Sequence, residues 1–258
     1  MHLLMQPTWR CPNACPYCWV RQTVHTRPAL LHATERPPAD WIAAIRREQP
    51  ELVDIAGGEP FAYDGLLDIV AACPDTRFAI TTNAALPAVQ ALAHVSLPNL
   101  IGVTVSYHPH SVAVSEATWR AHLLAIRAGG HNVTVNVVDA DTVSERAAET
   151  VVWLDGIGVR VVVSPEERMA DLEREAGPLE CDGGVAHLVV APDGATWPCL
   201  TTLRSGAWGE TALGNWLDGT LDLGRVPKPC RLYCYDYYVL RTRHVAGDMW
   251  NTNARRIR

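Results

Sequence analysis

Short apolar runs alternate with longer amphipathic segments over the first two thirds of the chain. The apolar runs are rich in Val, Ile and Leu and predict six strands, at residues 3–5, 52–56, 78–82, 100–106, 133–138 and 159–163. The segments between them repeat their apolar positions at about 3.6 residues. They predict helices at residues 39–47, 63–72, 86–94, 116–128 and 143–154, with Ser115 as an N-cap and Gly129-Gly130 as a helix end.

This alternation predicts an α/β fold with a parallel sheet and right-handed crossovers. The apolar runs are continuous, which is typical of parallel strands that are buried on both faces. Six units favour an open sheet or a partial (β/α)6 barrel over a complete eightfold barrel. In such sheets the chemistry lies at the C-terminal ends of the strands.

After about residue 175 the pattern changes. Apolar runs at 187–190 and 195–197 flank Pro192-Asp193-Gly194 and predict a β-hairpin, and a short helix is expected at 213–217. Two cysteine-bearing loops and a Tyr-rich segment close the chain. We therefore predict two domains, a strand–helix core over residues 1–172 and a small hairpin and helix domain over 173–258.

Composition and charge narrow the class of protein. Of 258 residues, 48% are hydrophobic and 19% are charged, as in folded soluble proteins. The net charge of -6 argues against a nucleic-acid partner. No apolar run approaches the roughly 18 residues that a membrane helix needs. The N-terminus is too short and uncharged for a signal peptide, so we expect a cytoplasmic protein.

Eight cysteines are the main chemical signal, since clustered cytosolic cysteines indicate metal binding or catalysis. The first cluster, Cys11-Pro-Asn-Ala-Cys15-Pro-Tyr-Cys18, directly follows the first strand. Three thiolates can hold three irons of a four-iron cluster and leave the fourth iron open for a ligand. A zinc knuckle completed by a distant histidine is the alternative.

A second motif, Gly57-Gly58-Glu59-Pro60, directly follows the second predicted strand. Glycines there let the backbone approach a ligand closely. The Glu59 carboxylate and the exposed carbonyls could receive an ammonium group. The alternative is a simple turn at the end of a strand.

Together the two motifs resemble those of the radical S-adenosylmethionine (SAM) superfamily. The resemblance implies that Cys11, Cys15 and Cys18 bind a [4Fe-4S] cluster whose open iron chelates the amino and carboxylate groups of SAM. An electron from the cluster then releases a 5′-deoxyadenosyl radical. By the same resemblance the SAM-binding residues would be Tyr17 near the adenine, Gly57, Gly58, Glu59 and Pro60 at the amino group, and Asn83, Ser106 and Asn136 against the ribose and carboxylate. Each of the last three could equally be an ordinary turn or sheet residue.

Four further cysteines form a second group: Cys181, Cys199, Cys230 and Cys234. Four thiolates in two pairs can close a tetrahedral site, which indicates zinc or a fully ligated iron–sulfur cluster. The hairpin between Cys181 and Cys199, with Gly194 inside it, resembles the start of the twitch domain, a shortened relative of the SPASM domain. That resemblance implies an auxiliary [4Fe-4S] cluster; a structural zinc ribbon is the alternative.

Three residues stay without an assigned role. Cys73, at the end of the second helix, is expected to be a buried apolar thiol. His108 and His110 lie at the mouth of the fourth strand, where they either face a substrate or are simply exposed.

The resemblance implies an enzyme that abstracts a hydrogen atom and then oxidises or couples the substrate radical, with a flavodoxin or ferredoxin as electron donor. Because no leader-binding domain precedes the first strand, the favoured substrate is a small polar metabolite. The alternative is a maturase that cross-links or epimerises a ribosomally made peptide. A non-enzymatic iron–sulfur or zinc protein is a remote third hypothesis.

Overall fold

The structure is a computed structural model of the chain. It describes residues 1–21, 33–109, 111, 113–139, 144–165, 175–179, 184, 187–205, 212–223 and 230–232. None of the described helices combines the length and the apolar character that crossing a bilayer requires.

Six strands form a parallel sheet in the order of the chain, which confirms the predicted parallel α/β arrangement. They are β1 (His2–Met5), β2 (Leu52–Ile55), β3 (Arg77–Thr82), β4 (Leu100–Tyr107), β5 (Val133–Asp139) and β6 (Arg160–Pro165). Between them lie α1 (Pro38–Glu48), a 3-10 helix (Pro60–Ala62), α2 (Leu66–Ala72), a second 3-10 helix (Pro87–Ala93), α3 (Glu116–Ala128) and α4 (Glu145–Gly156).

The helices cover one face of this sheet. A right-handed crossover between consecutive parallel strands places its helix on the same side of the sheet each time. The main hydrophobic core lies there, with Met5 and Ile80 of the sheet packed together with Trp41 of α1, Ile69 of α2 and Trp119 of α3.

Serine side chains set the start of two helices. Ser115 Oγ accepts a hydrogen bond from Thr118 N at 3.1 Å, as predicted for an N-cap. Ser144 caps α4 in the same way, so this helix begins at Glu145 and not at residue 143. The α-helix expected at 86–94 is a 3-10 helix, Pro87–Ala93, so that prediction was wrong in type.

The opposite face of the sheet carries polar side chains, among them the buried Asp54 and Thr104, so the strands are buried on both faces as expected but are apolar on one face only. Thr81, Thr104 and Thr134 are neighbours in register on β3, β4 and β5, and so share one face. Two residues further along, Ser106 pairs with Asn136 on the same face. The strands therefore bury valine and isoleucine towards the helices and present hydroxyl and amide groups on the other side.

The sheet continues across the predicted domain boundary. Strand β8 (His187–Val190) pairs in parallel with β1, and β9 (Thr196–Trp197) pairs antiparallel with β8. This confirms the predicted hairpin and gives a sheet of eight strands within the described residues. The boundary after residue 172 stays a prediction.

The region after the hairpin differs from the expectation. Residues 213–217 are not helical: Asn215 forms a bridge with Ala195, and Gly214 has a φ of +123° that a helix excludes. A helix that was not predicted, α5 (Leu200–Ser205), directly follows Cys199. Strands β7 (Glu175–Leu179) and β10 (Cys230–Leu232) form a separate antiparallel pair.

Candidate functional site

The first cysteine loop lies at the C-terminal end of β1. A hydrogen bond from Cys18 N to Cys15 O, 3.2 Å long, folds its second half into a turn. Cys11 is exposed as a residue, but its thiol is partly shielded from water, and this burial raises its pKa to about 12. Negative charge on the nearby Cys18 and Cys15 raises the pKa of Cys11 as well. Burial likewise raises the pKa of Cys15. Thiolates here therefore need a positively charged partner, as a metal centre provides.

Among the described side chains, no three His, Cys, Asp or Glu residues are grouped so that they could hold a metal ion. The ligands of a four-iron cluster bind separate irons and so lie further apart than the ligands of one ion. Cys11, Cys15 and Cys18 lie on one loop, and their thiols are near enough to affect one another's pKa values. These two observations bear on whether they can bind one cluster.

The two glycines after β2 bring the backbone against the cysteine loop. Gly58 N donates to Thr8 O at 2.9 Å and Glu59 N donates to Arg10 O at 2.7 Å. A Cβ on Gly57 would lie 2.7 Å from Thr8 O, and one on Gly58 would lie 2.4 Å from Arg10 O. Both approaches are too close for any side chain, so the glycines are required by the loop itself. The sequence suggested closeness to a ligand and missed this contact.

Glu59 is enclosed by the protein. Its carboxylate is 1% exposed and accepts hydrogen bonds from Thr82 Oγ1 (2.6 Å), Asn83 N (2.7 Å) and Phe61 N (3.2 Å). The three hydrogen bonds lower the pKa of Glu59, but the effect of burial is larger and raises this pKa to about 7. A carboxylate has about four acceptor positions, so one is left for a further donor. Pro60, also buried, starts the 3-10 helix that follows.

Asn83 directly follows β3 and faces the cysteine loop. Its Nδ2 lies 3.3 Å from Cys11 Sγ, and its Oδ1 accepts from Ala85 N at 2.9 Å. Its carbonyl accepts from Trp119 Nε1 at 3.1 Å. Asn83 is therefore beside the first cysteine of the motif, held by contacts from three parts of the chain.

Tyr17 of the cysteine loop contacts His108, which directly follows β4. Tyr17 Oη and His108 Nδ1 are 2.9 Å apart, and their ring centroids are 5.8 Å apart. Burial lowers the pKa of His108 to about 4, so the imidazole is neutral near pH 7. The pair fixes the Tyr17 ring next to Cys18. His110 lies outside the described residues.

The polar face of the sheet carries buried polar atoms beside this loop. Gln6 Oε1 and Thr104 Oγ1 have no hydrogen-bond partner among the described residues. Ser106 and Asn136 are partly buried. On β4 and β5 they follow Thr104 and Thr134 by two residues, towards the C-terminal ends of these strands. Such atoms fit a polar ligand bound on this face, because a buried polar group without a partner is costly.

A small second hydrophobic cluster joins the cysteine loop to the hairpin. Trp9 and Trp19, on either side of the loop, form an edge-to-face pair with centroids 5.7 Å apart. They pack with Val189, Trp197 and Leu203. No sequence pattern predicted this cluster, because its members come from distant parts of the chain.

The second group of cysteines is only partly within the described residues. Cys199 is buried at the start of α5, with its sulfur 3.7 Å from Thr202 Oγ1. Cys230 is the first residue of β10 and is paired with Leu179 of β7. Cys181 and Cys234 lie outside the described residues. The shared site of the four cysteines thus stays a prediction.

Cys73 lies apart from this chemistry. It is 4% exposed, caps the end of α2 and packs in the main core, and burial raises the pKa of its thiol. It precedes the N-terminal end of β3, whereas the cysteine loop lies at the opposite end of the sheet.

This fold and this cysteine loop define the class of protein. Residues 5–152, more than half of the chain, match the Radical SAM superfamily. The chain therefore belongs to the radical SAM superfamily. Membership implies an enzyme that uses a [4Fe-4S] cluster and SAM.

Individual relatives are more distant. The PqqA peptide cyclase of Methylocella silvestris is 32% identical over an alignment of 176 residues, and the match covers 62% of this chain and 45% of that protein. The chain thus spans less than half the length of this curated relative.

Solved structures resemble the chain in fold alone. SuiB of Streptococcus suis, bound to the precursor peptide SuiA, gives a TM-score of 0.60 at 17% identity, covering 86% of this chain and 64% of SuiB. The protein anSMEcpe with bound AdoMet gives 0.60 at 12% identity, covering 85% and 78%.

Proposed function

We propose that this protein is a radical SAM enzyme that modifies a ribosomally made peptide by forming a cross-link or by epimerisation. The 32% identity with a protein named PqqA peptide cyclase carries this proposal. That similarity supports a peptide substrate more strongly than the small polar metabolite favoured by the sequence. Oxidation or coupling of the substrate, and a flavodoxin or ferredoxin as electron donor, are parts of the same proposal.

In this proposal Cys11, Cys15 and Cys18 bind three irons of a [4Fe-4S] cluster, and SAM binds the fourth. The reduced cluster supplies the electron that cleaves SAM. The common loop of the three cysteines, directly after β1, supports a metal-bound role, and binding to the irons would remove the thiol protons. Cytoplasmic location, where thiols stay reduced, is the expected setting.

The SAM site would lie on the polar face of the sheet, beside the cysteine loop. We propose that the sheet forms a partial (β/α)6 barrel whose interior is this face. Support comes from the unpartnered Gln6 and Thr104 oxygens among the described residues. The residues proposed to contact SAM are Tyr17, Gly57, Gly58, Glu59, Pro60, Ser106 and Asn136, with Asn83 considered separately below.

An auxiliary [4Fe-4S] cluster on Cys181, Cys199, Cys230 and Cys234 is a further part of the proposal, within a twitch-like domain over residues 173–258. The pairing of Cys230 with Leu179 supports it, because Leu179 precedes Cys181 by only two residues. Such a cluster would accept an electron from the substrate radical, which is thereby oxidised.

Iron analysis tests both clusters. After anaerobic reconstitution we expect about eight irons per chain, as two four-iron clusters. Replacing Cys11, Cys15 and Cys18 with alanine should leave about four irons. Replacing the second group, Cys181, Cys199, Cys230 and Cys234, should also leave about four irons. A native chain that takes up only zinc would refute the cluster assignment.

The substrate is tested with synthetic peptides from short open reading frames next to the gene. The reconstituted chain, dithionite and SAM are incubated with each peptide, deuterated at its Cα and Cβ positions. We expect a mass change in one peptide and deuterium in the 5′-deoxyadenosine. If 5′-deoxyadenosine forms while every peptide stays unlabelled and unchanged, and a sugar or cyclitol donates the deuterium, the metabolite hypothesis replaces this one.

A further inference from the structure

The hydrogen bonds of Asn83 determine which group is the donor and which the acceptor in its contact with Cys11. Asn83 Oδ1 accepts a hydrogen bond from Ala85 N, which is a donor only. Turning the amide over would place its NH2 group against that N–H. The orientation is therefore fixed, and Nδ2 is the atom that lies 3.3 Å from Cys11 Sγ. Asn83 donates and the sulfur accepts.

The backbone of Asn83 is also held on both sides. Its N–H donates to the buried Glu59 carboxylate at 2.7 Å, and its carbonyl accepts from the Trp119 indole at 3.1 Å. Thr82 Oγ1 donates to the same carboxylate and accepts from Ala84 N at 3.0 Å. Asn83 is itself 7% exposed. With its backbone held, the side chain can move only about its own bonds, and turning it away would lose the hydrogen bonds of both Oδ1 and Nδ2.

We propose that Asn83 is a positioning residue that donates an N–H···S hydrogen bond to the Cys11 thiolate and thereby raises the reduction potential of the SAM-binding cluster. This rests on the proposed function, since it requires Cys11 to be a cluster ligand. It replaces the expectation that Asn83 contacts the ribose or carboxylate of SAM.

The physical reason is electrostatic. A donor at a cluster sulfur stabilises the reduced cluster, which carries more negative charge, over the oxidised cluster. Hydrogen bonds to the sulfurs are one of the means by which proteins set iron–sulfur potentials. Cys11 also accepts a bond from the main chain of Asn13, which side-chain changes at Asn83 leave in place.

The experiment uses the reconstituted 258-residue chain without SAM and follows the cluster by EPR during a redox titration. Asn83→Asp keeps an oxygen for Ala85 N, removes the donor and adds a negative charge that also lowers the potential, whereas Asn83→Ala removes the donor without adding charge and is the deciding variant. We expect the midpoint potential of Asn83→Ala to become more negative, with the reduced-to-oxidised ratio at a fixed potential falling up to about tenfold, or about 59 mV for one electron. Asn83→Asp should shift the potential in the same direction.

Trp119→Phe is the matched control. It removes the bond to the Asn83 carbonyl and leaves the Asn83 amide in place, so the midpoint potential should stay at the native value. In native protein exchanged into D2O, ENDOR should detect an exchangeable proton near the cluster that Asn83→Asp lacks. This measurement on the native chain holds even if a variant assembles its cluster poorly.

The outcomes separate the two proposals. A native midpoint potential in Asn83→Ala, with weakened SAM binding, would overturn the inference and return Asn83 to the SAM site. The proposed function would then stand. A native chain that binds no cluster on Cys11, Cys15 and Cys18 would overturn both.

Discussion

Gly58 shows how one hydrogen atom in place of a side chain determines the cysteine loop. A Cβ at this position would lie 2.4 Å from Arg10 O and 2.5 Å from Trp9 O, both backbone atoms that cannot rotate away. We expect Gly58→Ala to push the loop outward, to cost roughly 1–3 kcal/mol of stability and to lower the iron content.

Gly156→Ala is the control for that substitution. Gly156 is the last residue of α4, and nothing lies within 4 Å of the position of its Cβ. Iron content and urea unfolding should match those of the native chain or show a small gain. Equal iron loss in both variants would mean that the close contact at Gly58 has no role in cluster binding.

Glu59 predicts a pH dependence of stability. Burial raises its pKa from 4.5 to about 7, so the folded chain keeps a proton there that the unfolded chain releases. The free energy of unfolding should therefore fall as the pH rises from about 5 to about 7, by a total on the order of 3 kcal/mol. Glu59→Gln, which does not titrate, should remove this part of the pH dependence.

The measurement is urea unfolding of cluster-free native and Glu59→Gln chains across this pH range. Subtracting the two curves cancels the groups that they share. Parallel curves would show that the Glu59 carboxyl titrates normally in the folded chain.

At this scale the sequence predicted the motif residues but not their partners. Cys11, Gly58 and Glu59 are recognisable because their spacing and order along the chain carry the signal. The partners of Glu59 are different, since Thr82 and Asn83 are ordinary residues at the end of a strand. Only the parallel pairing of β2 with β3 brings them to Glu59.

At the scale of elements, two adjacent glycines end α3 for different reasons. A Cβ on Gly129 would lie 2.0 Å from Leu92 O, in the neighbouring 3-10 helix, whereas Gly130 has open space but a φ of +78°. Gly130→Ala should cost about 1 kcal/mol through backbone strain alone. Gly129→Ala should cost more, up to about 3 kcal/mol, because it forces two elements apart.

Thermal unfolding of the two variants tests the distinction, and amide exchange locates the change. Exchange should quicken at residues 87–93 in Gly129→Ala only. Equal costs without this change would indicate that the 3-10 helix accommodates the added methyl group.

The sequence predicted most elements because serine caps, glycines and apolar spacing act locally. It failed at the 3-10 helix after β3, where an apolar spacing near that of an α-helix does not distinguish the two helix types. It also failed at residues 213–217, where Asn215 and Leu213 instead pair with the hairpin through backbone hydrogen bonds. Tertiary pairing overrides local helix preference there.

At the scale of the whole molecule, the C-terminal region is part of the main core. Trp216 is fully buried, its ring centroid lies 6.4 Å from that of Trp41, and its carbonyl accepts from Arg47 Nη2 at 2.5 Å. Trp216→Ala should therefore cost about 3–5 kcal/mol. The exposed Leu223 is the control, and Leu223→Ala should stay within about 0.5 kcal/mol.

Urea unfolding followed by fluorescence and by circular dichroism checks this. Coincident transitions that both shift in Trp216→Ala would show one cooperative unit across residue 172. A separate early transition in that variant would instead support an independent C-terminal domain, as the sequence predicted. The sequence did not predict that the hairpin continues the main sheet, because nothing in residues 187–190 indicates that β1 is their partner.

The position of β1 has a consequence for how the protein is made. His2 pairs with Leu52 on one side and with His187 on the other, so the strand next to the cysteine loop needs partners from two distant parts of the chain. At about 5–20 residues per second, a ribosome reaches the second partner roughly 10–40 s after the first strand. We expect the loop to stay open during that interval, so that iron–sulfur assembly factors load the cluster only after residues 187–190 have been made.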